Sequence, residues 1–153
     1  MFTWLRSLFS SSCVLELGSQ RVLVRDLGTG ERFEFSPILS LDASNRVASI
    51  GHPVSPAALE KFEPFASPSA LAKNARMAEL LIQYAYSLAG AKRWIKPAPN
   101  VVLFVPRDRA NAMASVDDTV LLNLSEKAGA YRTVIVRGSR LTDEAANVML
   151  NEA

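Results

Sequence analysis

Across 153 residues there is one cysteine, Cys13, and one histidine, His52. The count excludes a disulfide within the chain. A zinc site of Cys and His ligands lacks members, and a Ser-His-Asp triad would have to use His52. Excess charge is also scarce: 17 Lys and Arg against 15 Asp and Glu leave +2. That is too little for a partner held by neutralising many phosphates, so no nucleic acid is expected. No apolar run approaches the roughly 20 residues that span a bilayer. What the chain does have is apolar content, with 49% hydrophobic and 21% charged residues. A packed single domain follows, rather than disorder.

The first ten residues, MFTWLRSLFS, read as a helix with two sides. Met1, Phe2, Trp4, Leu5, Leu8 and Phe9 fall on one side, and Thr3, Arg6, Ser7 and Ser10 on the other. Aromatics on an apolar helix side suit a lipid interface or a protein partner; packing onto the core is the alternative. A signal peptide is a poor match, because Arg6 breaks the apolar run and no A-x-A-like site follows.

Residues 13–17, 21–26 and 31–36 read as short strands joined by tight turns. In the second, Val22 and Val24 alternate with Arg21, Leu23 and Arg25, which predicts one wetter face. Residues 37–42 and 46–51 add two extended pieces. The proline-rich stretch 52–69 predicts an ordered loop with at most one helical turn at Ala57–Phe62. A long helix follows from Ser69, as N-cap, to Ala89, where Gly90 stops it. Lys92, Arg93 and Lys96 come after that helix end, where the dipole favours cations. PNVVLFVP (99–106) and YRTVIVRG (131–138) read as buried strands, separated by a helix over 108–128. A last helix begins after Thr142. Strand-strand-strand followed by alternating helices and strands is the ribonuclease-H-like layout: a single α/β domain with a mixed sheet flanked by helices, preceded by the amphipathic segment 1–10. The same layout builds each half of the actin fold.

VLELGS (14–19) places Glu16 at a strand end and Gly18 and Ser19 in the turn beyond it. Such a turn can present backbone N–H groups to phosphates. A plain hairpin with a permissive glycine gives the same string.

Several ordered motifs resemble the N-terminal part of the MreB family, the bacterial actin homologues that determine rod shape. MFTWLRSLF precedes VLELGS as that family's amphipathic start precedes I-D-L-G-T. RVASIGHPV (46–54) resembles its V-A-x-V-G-H, PNVVLFVP its P-x-V-x-V-x-V-P, and EKAGAYRTVIV (126–136) its helix end and following strand. The resemblance implies an actin-like half-domain over 13–153, with the insertion shortened near 53–68. It carries the phosphate-loop positions onto Glu16, Gly18 and Ser19, and the catalytic glutamate onto Asp117.

The departures imply lost catalysis. Glu16 is one methylene longer than the family's aspartate, and Asp117 is shorter than its glutamate. Arg137, Gly138 and Ser139 stand where the family has E-E-P. The family's second phosphate loop, its adenosine-binding region and its second half lie outside residues 1–153. Phosphoryl transfer needs donors all round the transferred group. The expectation is therefore a non-catalytic, MreB-like protein of the cell-shape or division machinery, without a cofactor. It would sit peripherally at the inner face of the cytoplasmic membrane through Met1, Phe2, Trp4, Leu5, Leu8 and Phe9. Its expected partners are the membrane surface and an actin-like filament of a full-length homologue, or a second copy in a homodimer. The alternative is a residual Mg-ATP-binding ATPase, completed by a second chain and using Glu16, Ser19 and Asp117.

Overall fold

Alternation along the first strand, β1 (Ser11–Leu17), decides how the sheet is covered. Cys13, Leu15 and Leu17 belong to one apolar cluster and Val14 to another. Successive side chains of a strand point to opposite faces, so β1 has core on both sides. In the computed structural model, which describes residues 11–51, 60–90 and 97–152, β1 is the central strand of five. The amphipathic segment 1–10, His52, residues 53–59 of the shortened insertion and the cluster Lys92, Arg93 and Lys96 lie outside the described residues.

β2 (Val22–Asp26) and β3 (Arg32–Phe35) form an antiparallel meander on one side of β1. β7 (Pro99–Pro106) and β8 (Arg132–Gly138) run parallel to it on the other, giving the order β3-β2-β1-β7-β8. A second, three-stranded sheet has the order β5-β4-β6, from Val47–Ile50, Leu39–Leu41 and Glu60–Phe62. Helices α1 (Pro68–Lys73), α2 (Ala75–Ala89) and α3 (Asp118–Lys127) precede the last helix, α4 (Asp143–Glu152). The large cluster joins one face of the main sheet to α2 and α3; the small one joins the other face to α4 through Ala146 and Leu150. The mixed sheet flanked by helices is the layout expected from the order of elements.

Several local expectations are corrected. The helical turn expected at Ala57–Phe62 gives way, over the described residues, to β6, which pairs antiparallel with β4. The long helix is two helices. It begins earlier than Ser69: Ser67 is the N-cap, its Oγ accepting the Ala70 N–H at 3.0 Å, with Pro68 in the first turn, where its missing N–H costs nothing. Asn74 interrupts it at φ −124°, ψ 39°, with its Nδ2 donating to the Ala70 carbonyl.

The helix expected over 108–128 is a loop, a 3-10 turn at Ala112–Ser115, and then α3. Asp117 has extended backbone and stands just before α3. Gly129, at φ +113°, ends α3 in a conformation that disfavours side chains. β7 is buried as expected, but β8 is an edge strand and only half-buried throughout. Arg25, expected on the wetter face, is buried beneath the start of α4. It forms an ion pair with Asp143 at 3.2 Å and donates to the Leu141 carbonyl at 2.9 Å. Thr142 caps α4 as expected, accepting the Ala145 N–H at 3.2 Å.

Candidate functional site: the turn after the first strand

The parallel strands β1 and β7 end side by side, and loops leaving such ends form the usual crevice of an α/β sheet. Here the crevice is a cleft of about 250 Å³ whose lining includes Glu16, Gly18, Ser19, Arg21, Asp108 and Asn111. The structure thus brings Glu16, Gly18 and Ser19 together. Glu16 lies next to the last residue of β1, between Phe104 and Leu23. Its carboxylate meets Arg21 at 3.9 Å, and Arg21 also meets Glu34 at 3.7 Å. These are loose pairs at the surface, with Arg21 more than half exposed.

The turn itself is hydrogen-bonded within the chain. The Gly18 N–H donates to the Arg21 carbonyl at 3.0 Å. A Cβ at Gly18 would stand 2.8 Å from that carbonyl oxygen, so only glycine permits the approach. The Ser19 N–H donates to Asn111 Oδ1 at 3.1 Å. The Ser19 hydroxyl donates to the Ala110 carbonyl at 2.9 Å and accepts the Ala112 N–H at 3.3 Å.

Asn111 is the residue that sequence reading missed. Its Oδ1 also accepts the Met113 N–H at 3.1 Å, and its Nδ2 donates to the Leu17 and Pro106 carbonyls at 3.1 and 3.0 Å. A buried amide with two donors and two acceptor positions is thereby saturated. One side chain ties the end of β1, the turn after it and the end of β7 together. The only sequence signal is a polar residue in an alanine-rich loop, and helical periodicity masked it. Asp108 is the second carboxylate of the cleft; its Oδ1 accepts the Ala110 N–H at 3.0 Å.

Asp117 is placed elsewhere. It opens on an apolar groove of about 270 Å³ between α1 and α3, lined by Pro68, Leu71, Val116, Val120 and Leu124. Its neighbour Asp118 forms an ion pair with Arg137 at 2.8 Å, and Arg137 also donates to the Ala114 and Val116 carbonyls. Arg137 thereby fastens the start of α3 to the end of β8. Among the described residues no group of three His, Cys, Asp or Glu is arranged to hold a metal ion. Cys13 lies on the opposite face of β1 from Glu16; burial, aided by the charge of Asp26, pushes its thiol up to about 12.

No family model and no curated protein matches the sequence. Solved structures do match. The chain is similar to MreB5 of Spiroplasma citri in crystal structures bound to AMPPNP and to ADP, each at 15% identity and a TM-score of 0.61. The fold is actin-like. The match covers 84% and 85% of this chain but only 38% and 39% of the two MreB5 chains. The chain thus spans well under half of those structures. The actin-like core accounts for the five-stranded order, the helices on both faces and the position of the turn at the strand ends. Among the described residues no helix is long and apolar enough to cross a membrane.

Proposed function

We propose that this chain is a non-catalytic, MreB-like cytoskeletal protein that acts in cell shape or division from the inner face of the cytoplasmic membrane. The closed turn carries the non-catalytic part. The Gly18 and Ser19 N–H groups and the Ser19 hydroxyl are all engaged inside the chain. As folded, the turn does not fit a triphosphate. A phosphate accepting the Ser19 N–H would have to replace its bond to Asn111, which three further hydrogen bonds hold in place, while facing the carboxylates of Glu16 and Asp108. Asp117, the residue the resemblance carries onto the catalytic glutamate, stands in a different groove from Ser19.

The amphipathic sequence of residues 1–10 supports the membrane part. With only Arg6 charged, burial of Phe2, Trp4 and Phe9 would supply most of the affinity. The protein partner in this reading is an actin-like filament, capped or modulated rather than built by this chain.

Co-sedimentation with anionic phosphatidylglycerol vesicles tests both parts, using the intact chain and one lacking residues 1–10, each with and without Mg-ATP. Binding is expected to vanish with the truncation and to ignore Mg-ATP. Failure of the intact chain to bind overturns the membrane reading. A response to Mg-ATP instead favours a nucleotide-binding ATPase completed by a second chain.

A further inference from the structure

β8 ends the five-stranded sheet, and among the described residues nothing pairs with its outer edge. An unpaired edge is a template for another strand unless proline, lysine, a bulge or a covering segment blunts it. β8, Arg-Thr-Val-Ile-Val-Arg-Gly, has no proline and no lysine. Its register with β7 runs without a bulge from Asn100–Arg132 to Pro106–Gly138. Its two arginines are turned back onto their own chain. Arg132 donates to the Leu150 carbonyl, and Arg137 is held by Ala114, Val116 and Asp118. Tyr131, just before the strand, is 78% exposed. The opposite edge, β3, has only four residues, exposes Arg32 and Glu34, and is followed closely by Pro37.

We propose that β8 pairs antiparallel with β8 of a second copy, about a two-fold axis at Ile135, joining two five-stranded sheets into one. The charge pattern selects that partner and that register. Full-length pairing about Ile135 sets Arg132 opposite Gly138, Thr133 opposite Arg137 and Val134 opposite Val136, with Ile135 facing itself. No arginine meets an arginine, and β-branched residues occupy the middle, the cross-strand pairing that stabilises sheets. A slide of two residues in one direction sets Arg132 against Arg140, and a slide either way shortens the ladder. The faces also match. Val134 and Val136 pack with the α4-side cluster and Ile135 with the α2/α3-side cluster, and a two-fold axis normal to the sheet keeps each face continuous. This pairing does not depend on lipid binding by residues 1–10, and it is tested without vesicles, so its failure leaves that reading standing.

Sedimentation velocity of the full chain from low to high micromolar concentration is the test, with two variants at one position. A Cβ at Gly138 would meet only Phe104 Cε2 at 3.9 Å, and the backbone is not left-handed, so substitution is tolerated in the monomer. Gly138→Arg places like charges opposite Arg132 at two symmetric points and should weaken dimerisation about tenfold. Gly138→Glu should leave it unchanged or tighten it. As a second measurement, an Arg132→Cys, Gly138→Cys variant treated with oxidised glutathione should form a covalent dimer, with buried Cys13 taking no part. Three results overturn the proposal. They are a wild-type chain that stays monomeric throughout, a dimer to which Gly138→Arg and Gly138→Glu do the same thing, and a dimer that the paired cysteines do not cross-link.

Discussion

On one face of the main sheet, α2 and α3 press against Cys13, Leu15, Leu17, Leu103 and Val105; on the other, α4 meets Val14, Val102 and Phe104. The first face is largely apolar; its buried polar groups include the Asp26 carboxylate, opposite Cys13, and a hydroxyl chain in which Tyr86 Oη and Ser125 Oγ are 2.6 Å apart and Ser125 Oγ and Thr133 Oγ1 are 2.6 Å apart. It links α2, α3 and β8, so every buried hydroxyl there has a partner. The second face is divided. α4 covers β7 and part of β1, while toward β2 and β3 the same face shows Glu16, Leu23, Arg25, Arg32 and Glu34. The contrast separates two tasks. One face supplies the closely packed interior that lets a chain of this size fold, and the other shows a cluster of charged side chains.

The largest expected effect measures that imbalance. Leu103 is fully buried in the large cluster, whereas Leu150 of α4 keeps 6% exposure at the margin of the small one. Leu103→Ala should cost about 4 kcal/mol and Leu150→Ala about 2 kcal/mol, because a cavity at the margin collapses more easily. Urea unfolding of both variants checks this. Equal losses would mean that α4 is as integral to the fold as α2 and α3.

A smaller effect is expected at the charged part of the α4 face. Arg25 keeps only 8% of its side chain exposed, and Asp143 keeps 40%. Asp143→Ala leaves the guanidinium without its counter-charge; because Asp143 is partly in water, the loss should be about 1–2 kcal/mol rather than that of a fully buried pair. Arg25→Met, which removes the charge and keeps the packing, should change stability by less than about 1 kcal/mol. If Arg25→Met proves the worse of the two, the hydrogen bond to Leu141 matters more than the ion pair.

The two faces were unequally legible in the sequence. The α2/α3 face follows from the apolar run at 99–106 and helical spacing at Leu80, Leu81, Tyr84 and Leu88, signals local to each element. The burial of Arg25 was not legible, because it depends on α4 arriving more than a hundred residues later. The break at Asn74 and the loop before α3 were missed for a related reason. Apolar residues continue at helical spacing through both, and side-chain hydrogen bonds of Asn74 and Asn111 override that periodicity. In the cleft, the Glu16–Ser19 string was readable as a turn at a strand end. That the turn is closed by Asn111, some ninety residues away, was not.

Alkaline pH separates the faces with the smallest expected effect. Cys13 and Tyr86 both belong to the large cluster, and the α4-side cluster contains neither cysteine nor tyrosine. Burial pushes the Cys13 thiol up to about 12, with Asp26 adding to it. Burial also raises Tyr86, and the neighbouring Cys13 adds to that, while the Ser125 hydrogen bond works the other way. The unfolded chain releases these protons from about pH 9 for the thiol and pH 10 for the phenol, while the folded chain retains them. Stability is therefore unaffected by the pair below about pH 9 and falls as pH rises above it, by at most about 1.4 kcal/mol per pH unit for each proton retained. Cys13→Ala should flatten the decline from pH 9 upward. Tyr86→Phe should flatten only the part above pH 10, and should cost about 1 kcal/mol at neutral pH, because Ser125 loses a partner. Chemical unfolding across that range checks the order. A Cys13→Ala decline as steep as wild type would mean that the thiol is reached by water, and that the large face is less tightly closed than its packing implies.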